Sequence, residues 1–254
     1  MEGAGTIDYA NFLSRLGQRE KKQLIELGTS KHYMKDEIIC SLGRANEDIY
    51  LLISGRVKLY ELTAEGKEVI LWFCIPGELF GVSDVLIVNQ FNGRQINAQS
   101  CGYAELLCIK HQDFLQYVNA NPSVALPLIQ LLSFRLREVA EVLSDITCSD
   151  VTSRVVKLLI RLSRRYGKQV EGGIFLELPM THQEMADMIG ASRQTVTTVL
   201  GDLKRQGLIQ IEQRTLFMRD GEWLQKFLVQ MKKLKKPDDK PAKRMLDEPL
   251  DISM

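Results

Sequence analysis

Residues 181 to 209 read THQEMADMIGASRQTVTTVLGDLKRQGLI. Within this run Arg193, Gln194, Thr197 and Thr198 are long or hydrogen-bonding side chains, gathered near the start of a helical pattern. Side chains of that kind, at that place, meet base edges when a recognition helix enters the major groove of DNA. Ser192 stands just before them, and Thr195 and Thr181 are better placed to meet phosphate than bases. The chemistry on offer is hydrogen bonding to DNA. No P-loop, HExxH, G-x-S-x-G or metal-ligand cluster is present, so nothing points to an enzyme.

These side chains need two helices and a tight turn to position them. Thr181 predicts an N-cap, and Glu184 three residues later completes a capping box. Met185, Met188 and Ile189 form the inner face of the first helix. Gly190 and Ala191 make the turn, and Ser192 caps the second helix. Val196, Val199, Leu200 and Leu203 recur at helical spacing and predict its buried face. A helical hairpin with a polar outer face in some other core is the plainer alternative.

At 254 residues the chain has room for two modest domains. Its 45% hydrophobic and 26% charged residues suit a globular protein. No apolar run is long enough to span a bilayer. The N-terminus MEGAGTIDYANF lacks the basic patch and apolar core of a signal peptide, so a cytoplasmic protein without a membrane partner is expected. Charge is unevenly spread. Residues 149–236 hold 16 Lys/Arg against 9 Asp/Glu, a net of +7, whereas the whole chain sums to +1. The positive excess coincides with the candidate recognition helix, as phosphate attraction requires, and predicts salt-sensitive binding.

Upstream, residues 36 to 110 read as short strands separated by glycines and polar turns. IYLLISGRVKLYELTAEGKEVILWF is strand, glycine bend, strand, turn at Glu65-Gly66, strand. Such spacing suggests a barrel or jelly roll. A long helix is expected from Asn121-Pro122, with Pro127 early in it. Leu128, Leu132, Leu136, Val139, Leu143 and Ile146 recur every three or four residues along it, a seam suited to pairing with a second copy. Burial against its own domain is the alternative. Ser149-Asp150 reads as a hinge, followed by a helix over 151–166. LIQIEQRTLFMRD predicts a two-stranded wing turning near Gln213-Arg214. Asp220 predicts the cap of a last helix carrying Trp223, Phe227 and Met231, and the charged, proline-containing tail is expected to be disordered. The fold class expected is α+β, in four segments: a β-roll sensor over 1–120, a dimerisation helix over 121–148, a winged helix-turn-helix over 149–231 and a tail over 232–254.

Strands, a long helix and then a winged helix-turn-helix, in that order, resemble the Crp/Fnr family of bacterial transcription regulators. The likeness runs from about residue 20 to 220. It is carried by ISGRVKLYELTAEGKEVIL and PGELFG in the β-roll, NPSVALPLIQLLSFRLRE in the long helix, DVTSRVVKLLIRLS after the hinge, and the 181–209 run. The resemblance implies a β-roll of the cyclic-nucleotide-binding type, a homodimer, a palindromic double-stranded operator and effector-driven repositioning of the DNA-binding domains. It also implies that Arg193 reads a guanine through O6 and N7. Gln194 departs from the glutamate common in the family; an amide both donates and accepts, which suits adenine. Thr198 replaces a second arginine of some members, so the inner half-site bases are expected to differ. The Glu65-Gly66-Lys67-Glu68 tip matches a loop that touches RNA polymerase in a family member; a solvated charged turn is the alternative.

The sensor departs further. In cAMP-binding members a glycine-glutamate-leucine run holds the ribose and an arginine followed by Ser or Thr holds the phosphate. Here Gly81 matches the glycine, but Val82 stands where the glutamate belongs. Arg94 matches the arginine, and Gln95 replaces the hydroxyl residue. Val139 and Ala140 replace the Thr-Ser pair that reads adenine. Each hydrogen bond lost to a charged group forfeits roughly 1.5–3 kcal/mol, so ordinary cAMP binding is not expected. Gly81, Arg94, Gln95 and Val139 are the candidate effector residues; Arg94 as a surface loop charge is the alternative. Cys40, Cys74, Cys101 and Cys108 lie on strand-like segments. Convergence would let their thiolates hold an iron–sulfur cluster; as small buried residues they would hold nothing. The Fnr-type N-terminal cysteine cluster is absent. Cys148 near the hinge is a candidate redox switch, and one of the scattered His32, His111 and His182 is a candidate haem ligand, with plain surface histidines as the alternative. The effector stays unknown. Two functions compete: a DNA-binding regulator with a small-molecule or redox input, and a cyclic-nucleotide-type module acting on a protein partner, whose relatives lack the recognition helix.

Overall fold

The computed structural model describes residues 11–43, 48–83, 96–176, 180–212 and 215–219. Helix α1 (Gln18–Leu27) precedes β1 (Thr29–Tyr33), β2 (Ile38–Cys40), β3 (Asp48–Ser54), β4 (Val57–Leu62), β5 (Glu68–Cys74), β6 (Leu79–Phe80), β7 (Asn97–Ser100) and β8 (Ala104–Lys110). They build two four-stranded antiparallel sheets, ordered β1-β8-β3-β6 and β2-β7-β4-β5. Alternation along each strand sends side chains to opposite faces. Tyr50 and Leu52 of β3, Leu106 and Cys108 of β8, Val57 and Leu59 of β4, and Cys74 of β5 share the core between the sheets. The opposite face of the first sheet, through Ile49, Leu51, Leu107 and Ile109, packs on Leu24 of α1 and on Phe114 and Tyr117 of α2 (His111–Ala120). Neither α1 nor α2 was anticipated from the sequence. At Gly55, between β3 and β4, φ is +89° and a Cβ would lie 2.3 Å from the Tyr103 carbonyl oxygen, so only glycine fits the bend.

A 3₁₀ turn at Pro122–Val124 leads into α3 (Ala125–Cys148). Its 24 residues span about 36 Å at 1.5 Å per residue. Its first turns are sensor core: Leu128 and Leu131 pack with Val124 and Phe114. This corrects the expected seam, because Leu128 is only 6% exposed and belongs inside the β-roll. The rest of the seam is bare in the single chain: Leu132, Leu136, Val139, Leu143 and Ile146 are 36–72% exposed. Ser149 is extended, and Asp150 caps α4 (Val151–Tyr166) by accepting from the Ser153 amide at 2.9 Å.

The C-terminal unit holds α5 (His182–Ile189), α6 (Arg193–Arg205) and a four-stranded antiparallel sheet, ordered β11-β12-β10-β9. Strands β11 (Ile209–Glu212) and β12 (Thr215–Arg219) are the expected wing. Its turn at 213–214, the last helix from Asp220 and the tail lie outside the described residues. Strands β9 (Gly167–Val170) and β10 (Gly173–Leu176) were not expected. Among the described residues no helix is long and apolar enough to cross a membrane.

Candidate nucleic-acid interface

Each local device that the 181–209 run predicts is present. Thr181 Oγ1 accepts from the Glu184 amide at 3.1 Å, and Glu184 Oε2 accepts from the Thr181 amide at 2.7 Å. Gly190 ends α5 in the left-handed conformation, φ +60°, which a Cβ would strain. Ser192 Oγ accepts from the Thr195 amide at 3.0 Å and so caps α6. Val196, Val199, Leu200 and Leu203 are buried against Met185, Ala186 and Ile189. Arg154 of α4 adds a tie that sequence reasoning missed: its Nη1 donates to the Ile189 carbonyl at 2.8 Å, satisfying the end of α5.

With its inner face packed, α6 turns Ser192, Arg193, Gln194, Thr197 and Thr198 outward, all exposed. Thr195 is half-buried, its hydroxyl 2.7 Å from that of Ser192. Arg193 borders an open hollow with Met180, Thr181, His182, Gln183 and Ile211. Arg193 and Gln194 make no side-chain hydrogen bond to other described residues. The two exposed threonines return their hydroxyl protons to the helix: Thr197 to the Arg193 carbonyl at 2.9 Å, Thr198 to the Gln194 carbonyl at 3.1 Å.

The reverse side of this unit packs on the β-roll. Tyr60, Ile70 and Phe73, on the outer face of β4 and β5, share a core with Leu158, Leu159, Met185 and Val196. Burying a side chain of that size contributes about 1.5–3 kcal/mol. Polar groups ring this apolar contact. Glu78 is fully buried and pairs with Arg135 of α3 at 2.8 Å and Arg165 of α4 at 2.7 Å. Arg165 also reaches Glu138 at 3.0 Å and the Phe73 carbonyl at 3.2 Å, and the Tyr166 hydroxyl donates to that carbonyl at 2.9 Å. Burial pushes the Glu78 carboxyl up, but the Arg165 and Arg135 charges and hydrogen bonds outweigh it and hold the group below the usual carboxylate range. Nearer the helix pair, Arg56 lies 4.6 Å over the Phe73 ring and pairs with Glu184 at 3.3 Å. Glu184 thus caps α5 and contacts the sensor at once. Across the hinge, Asp145 of α3 takes Lys157 at 2.5 Å and also Arg161, both from α4.

Of the candidate effector residues, Gly81 and Val139 lie among the described residues. Gly81 lies in the β-roll, Val82 is buried in the core with Leu24 and Phe114, and Val139 is exposed on α3. Arg94 and Gln95 lie outside the described residues. An apolar, buried Val82 offers no acceptor for a ribose hydroxyl.

The cysteines correct the convergence expectation. Cys40, Cys74 and Cys108 are packed in the apolar core between the sheets, and Cys101 is half-buried beside the interdomain contact. Burial pushes the Cys74 thiol up to about 12 and raises Cys101 and Cys108, as expected of thiols packed as small apolar residues. Among the described residues no three His, Cys, Asp or Glu side chains gather to hold a metal ion. Of the candidate haem ligands, His32 bonds the Tyr103 hydroxyl at 2.8 Å and stacks on its ring, and His182 bonds Thr197. His182 also borders the open hollow beside Arg193. Cys148 is exposed at the end of α3, with its sulfur 3.4 Å from the Thr147 hydroxyl.

Residues 30–121 match the cyclic nucleotide-binding domain family, and residues 153–227 match the Crp-like helix-turn-helix domain family. The chain is 31% identical to the cyclic AMP receptor protein of Thermus thermophilus, over 76% of this chain and 85% of the relative. It is 30% identical to the global nitrogen regulator of a Synechocystis species, over 68% and 77%. A mutant of CooA from Carboxydothermus hydrogenoformans superposes with a TM-score of 0.70 at 26% identity, covering 81% of this chain and 89% of that one. Such relatives are regulators rather than enzymes. With a β-roll, a long helix and a winged helix-turn-helix in the matching order, the chain belongs to the Crp/Fnr family of DNA-binding transcription regulators.

Proposed function

We propose that two copies pair along α3 and present their α6 helices to successive major grooves of a palindromic operator, with Arg193 reading guanine and Gln194 reading adenine in each half-site. Thr181, Ser192 and Thr195 face the phosphates on either side. Support for pairing comes from the bare apolar seam Leu132-Leu136-Val139-Leu143, which water would otherwise cover at a cost. The observation that carries the DNA reading is α6 itself. It is capped and packed on one face, and on the other the Arg193 and Gln194 side chains meet no hydrogen-bond partner among the described residues.

The input is a small ligand other than ordinary cAMP. Val82 supports this: an acid-to-apolar change at that place removes the ribose acceptor, and Val139 and Ala140 lack the hydroxyls that read adenine. The signal reaches the helix pair through the β-roll contacts at Glu184 and Arg165. Because the sensor grips both α4 and the cap of α5, any ligand that shifts β4–β5 changes the balance between docked and released helix pairs. The exposed Glu65-Gly66-Lys67 tip is offered to RNA polymerase.

Selection from a randomised duplex pool, followed by sedimentation of the purified complex, tests this reading. The expected result is a two-fold symmetric consensus carrying two chains per duplex. An asymmetric consensus, one chain per site, or no enrichment would overturn it. Titration calorimetry should show no saturable heat with micromolar cAMP.

A further inference from the structure

Thr197 lies one helical turn beyond Arg193 on the exposed face of α6. Its hydroxyl oxygen is 2.9 Å from the Arg193 carbonyl and 2.8 Å from Nδ1 of His182, the first residue of α5. A carbonyl oxygen only accepts, so the single hydroxyl proton goes to Arg193. The second contact then closes only if His182 Nδ1 carries a hydrogen and donates it. His182 is held in place for this, because the capping box at Thr181 and Glu184 fixes the turn of backbone from which it springs.

The consequence falls on what Thr197 can offer a base. Its hydrogen is committed to the helix and His182 fills one of its two lone pairs, so the hydroxyl has no proton for a guanine or thymine oxygen. At a thymine, whose own groove edge carries only an acceptor and a methyl, contact falls to the threonine methyl. A threonine methyl in the major groove contacts the C5-methyl of thymine, the one apolar feature on a base edge there. Thr198 differs: its hydroxyl bonds the Gln194 carbonyl, and among the described residues no second side chain donates to it.

We infer that His182 is a positioning residue for sequence reading: it locks the Thr197 hydroxyl against α6 so that the methyl of Thr197 selects a thymine methyl in each half-site. This rests on α6 lying in the major groove, as proposed above. It goes beyond that reading by assigning Thr197 an apolar role and by bringing a residue of the first helix into specificity.

The test uses the full chain and its selected operator, replacing each half-site thymine in turn with deoxyuracil, which removes only the methyl. The wild type should lose about fourfold in affinity at one thymine, as for one buried methyl-sized group. Thr197→Val should keep that loss, and Thr197→Ser should abolish it. His182→Ala should shrink it, and His182→Asn, whose amide nitrogen can donate from a similar place, should restore it. A loss kept by Thr197→Ser and abolished by Thr197→Val would mean that the hydroxyl reads, and would overturn the inference. So would full discrimination in His182→Ala, or a wild type that binds selectively yet ignores every methyl. A wild type with no selective binding at all would instead bring down the reading of α6 and this inference with it.

Discussion

The winged helix unit has two polar faces that are built in opposite ways. Toward the β-roll, Arg165 and Tyr166 of α4 join Glu78, Arg135, Glu138 and the Phe73 carbonyl in a nearly dry network of ion pairs and hydrogen bonds. Toward solvent, Arg193 and Gln194 are held out by the backbone of α6 and meet no partner among the described residues. The first face spends its hydrogen bonds on fixing one domain against another; the second keeps them for a ligand. A substitution on the first should therefore appear in stability, and one on the second in DNA affinity.

The largest effect is expected at Glu78. Glu78→Ala leaves the buried cations Arg135 and Arg165 with Glu138 still bridging them but with one carboxylate fewer, and breaking such a buried pair costs roughly 3–5 kcal/mol. Denaturant unfolding should register it as a lower midpoint. Because the folded-state Glu78 carboxyl lies below its ordinary value, its contribution is present above that ordinary value and fades as acid protonates it in the fold. Wild-type stability should thus fall on acidification, and Glu78→Gln should flatten that part of the profile. Arg193→Ala should cost about 1–3 kcal/mol of operator affinity and leave unfolding unchanged. Gly190→Ala forces a side chain into left-handed backbone and should cost about 1 kcal/mol of stability. Arg56→Ala removes a mostly buried pair and a ring contact, but Glu184 keeps the Thr181 amide as a partner, so the stability loss should stay near or below about 1 kcal/mol. Its informative readout is the ratio of DNA affinities with and without effector, which should move if Glu184 carries the signal.

How much of this was legible in the sequence depended on the range of the interactions. Thr181, Glu184, Gly190 and Ser192 act on neighbours three or four residues away, so their spacing alone reveals caps and turn. The helix over 151–166 was equally readable, as its caps and apolar face are local. Strands β9 and β10 escaped notice because Gly167, Lys168 and Gln169 have no strand pattern and are held by pairing with residues 174–176; the Glu171-Gly172-Gly173 turn was the available signal. Leu128 fits the seam by period, yet tertiary packing claims it for the sensor. Glu78 and Arg165 stand 87 residues apart, and no local pattern announces that they meet. The cysteines show the same limit: alternation placed them on strands, but only the packed sheets show thiols immersed among leucines.

The central claim is that Arg193 on α6 reads one base in each half-site, and a mutant cycle tests it most directly. Wild-type and Arg193→Ala proteins are titrated against the selected operator and against duplexes altered one base pair at a time. The account predicts that the penalty for losing one guanine, present in the wild type, vanishes in Arg193→Ala while penalties elsewhere persist. Equal penalties for both proteins at every position would contradict it.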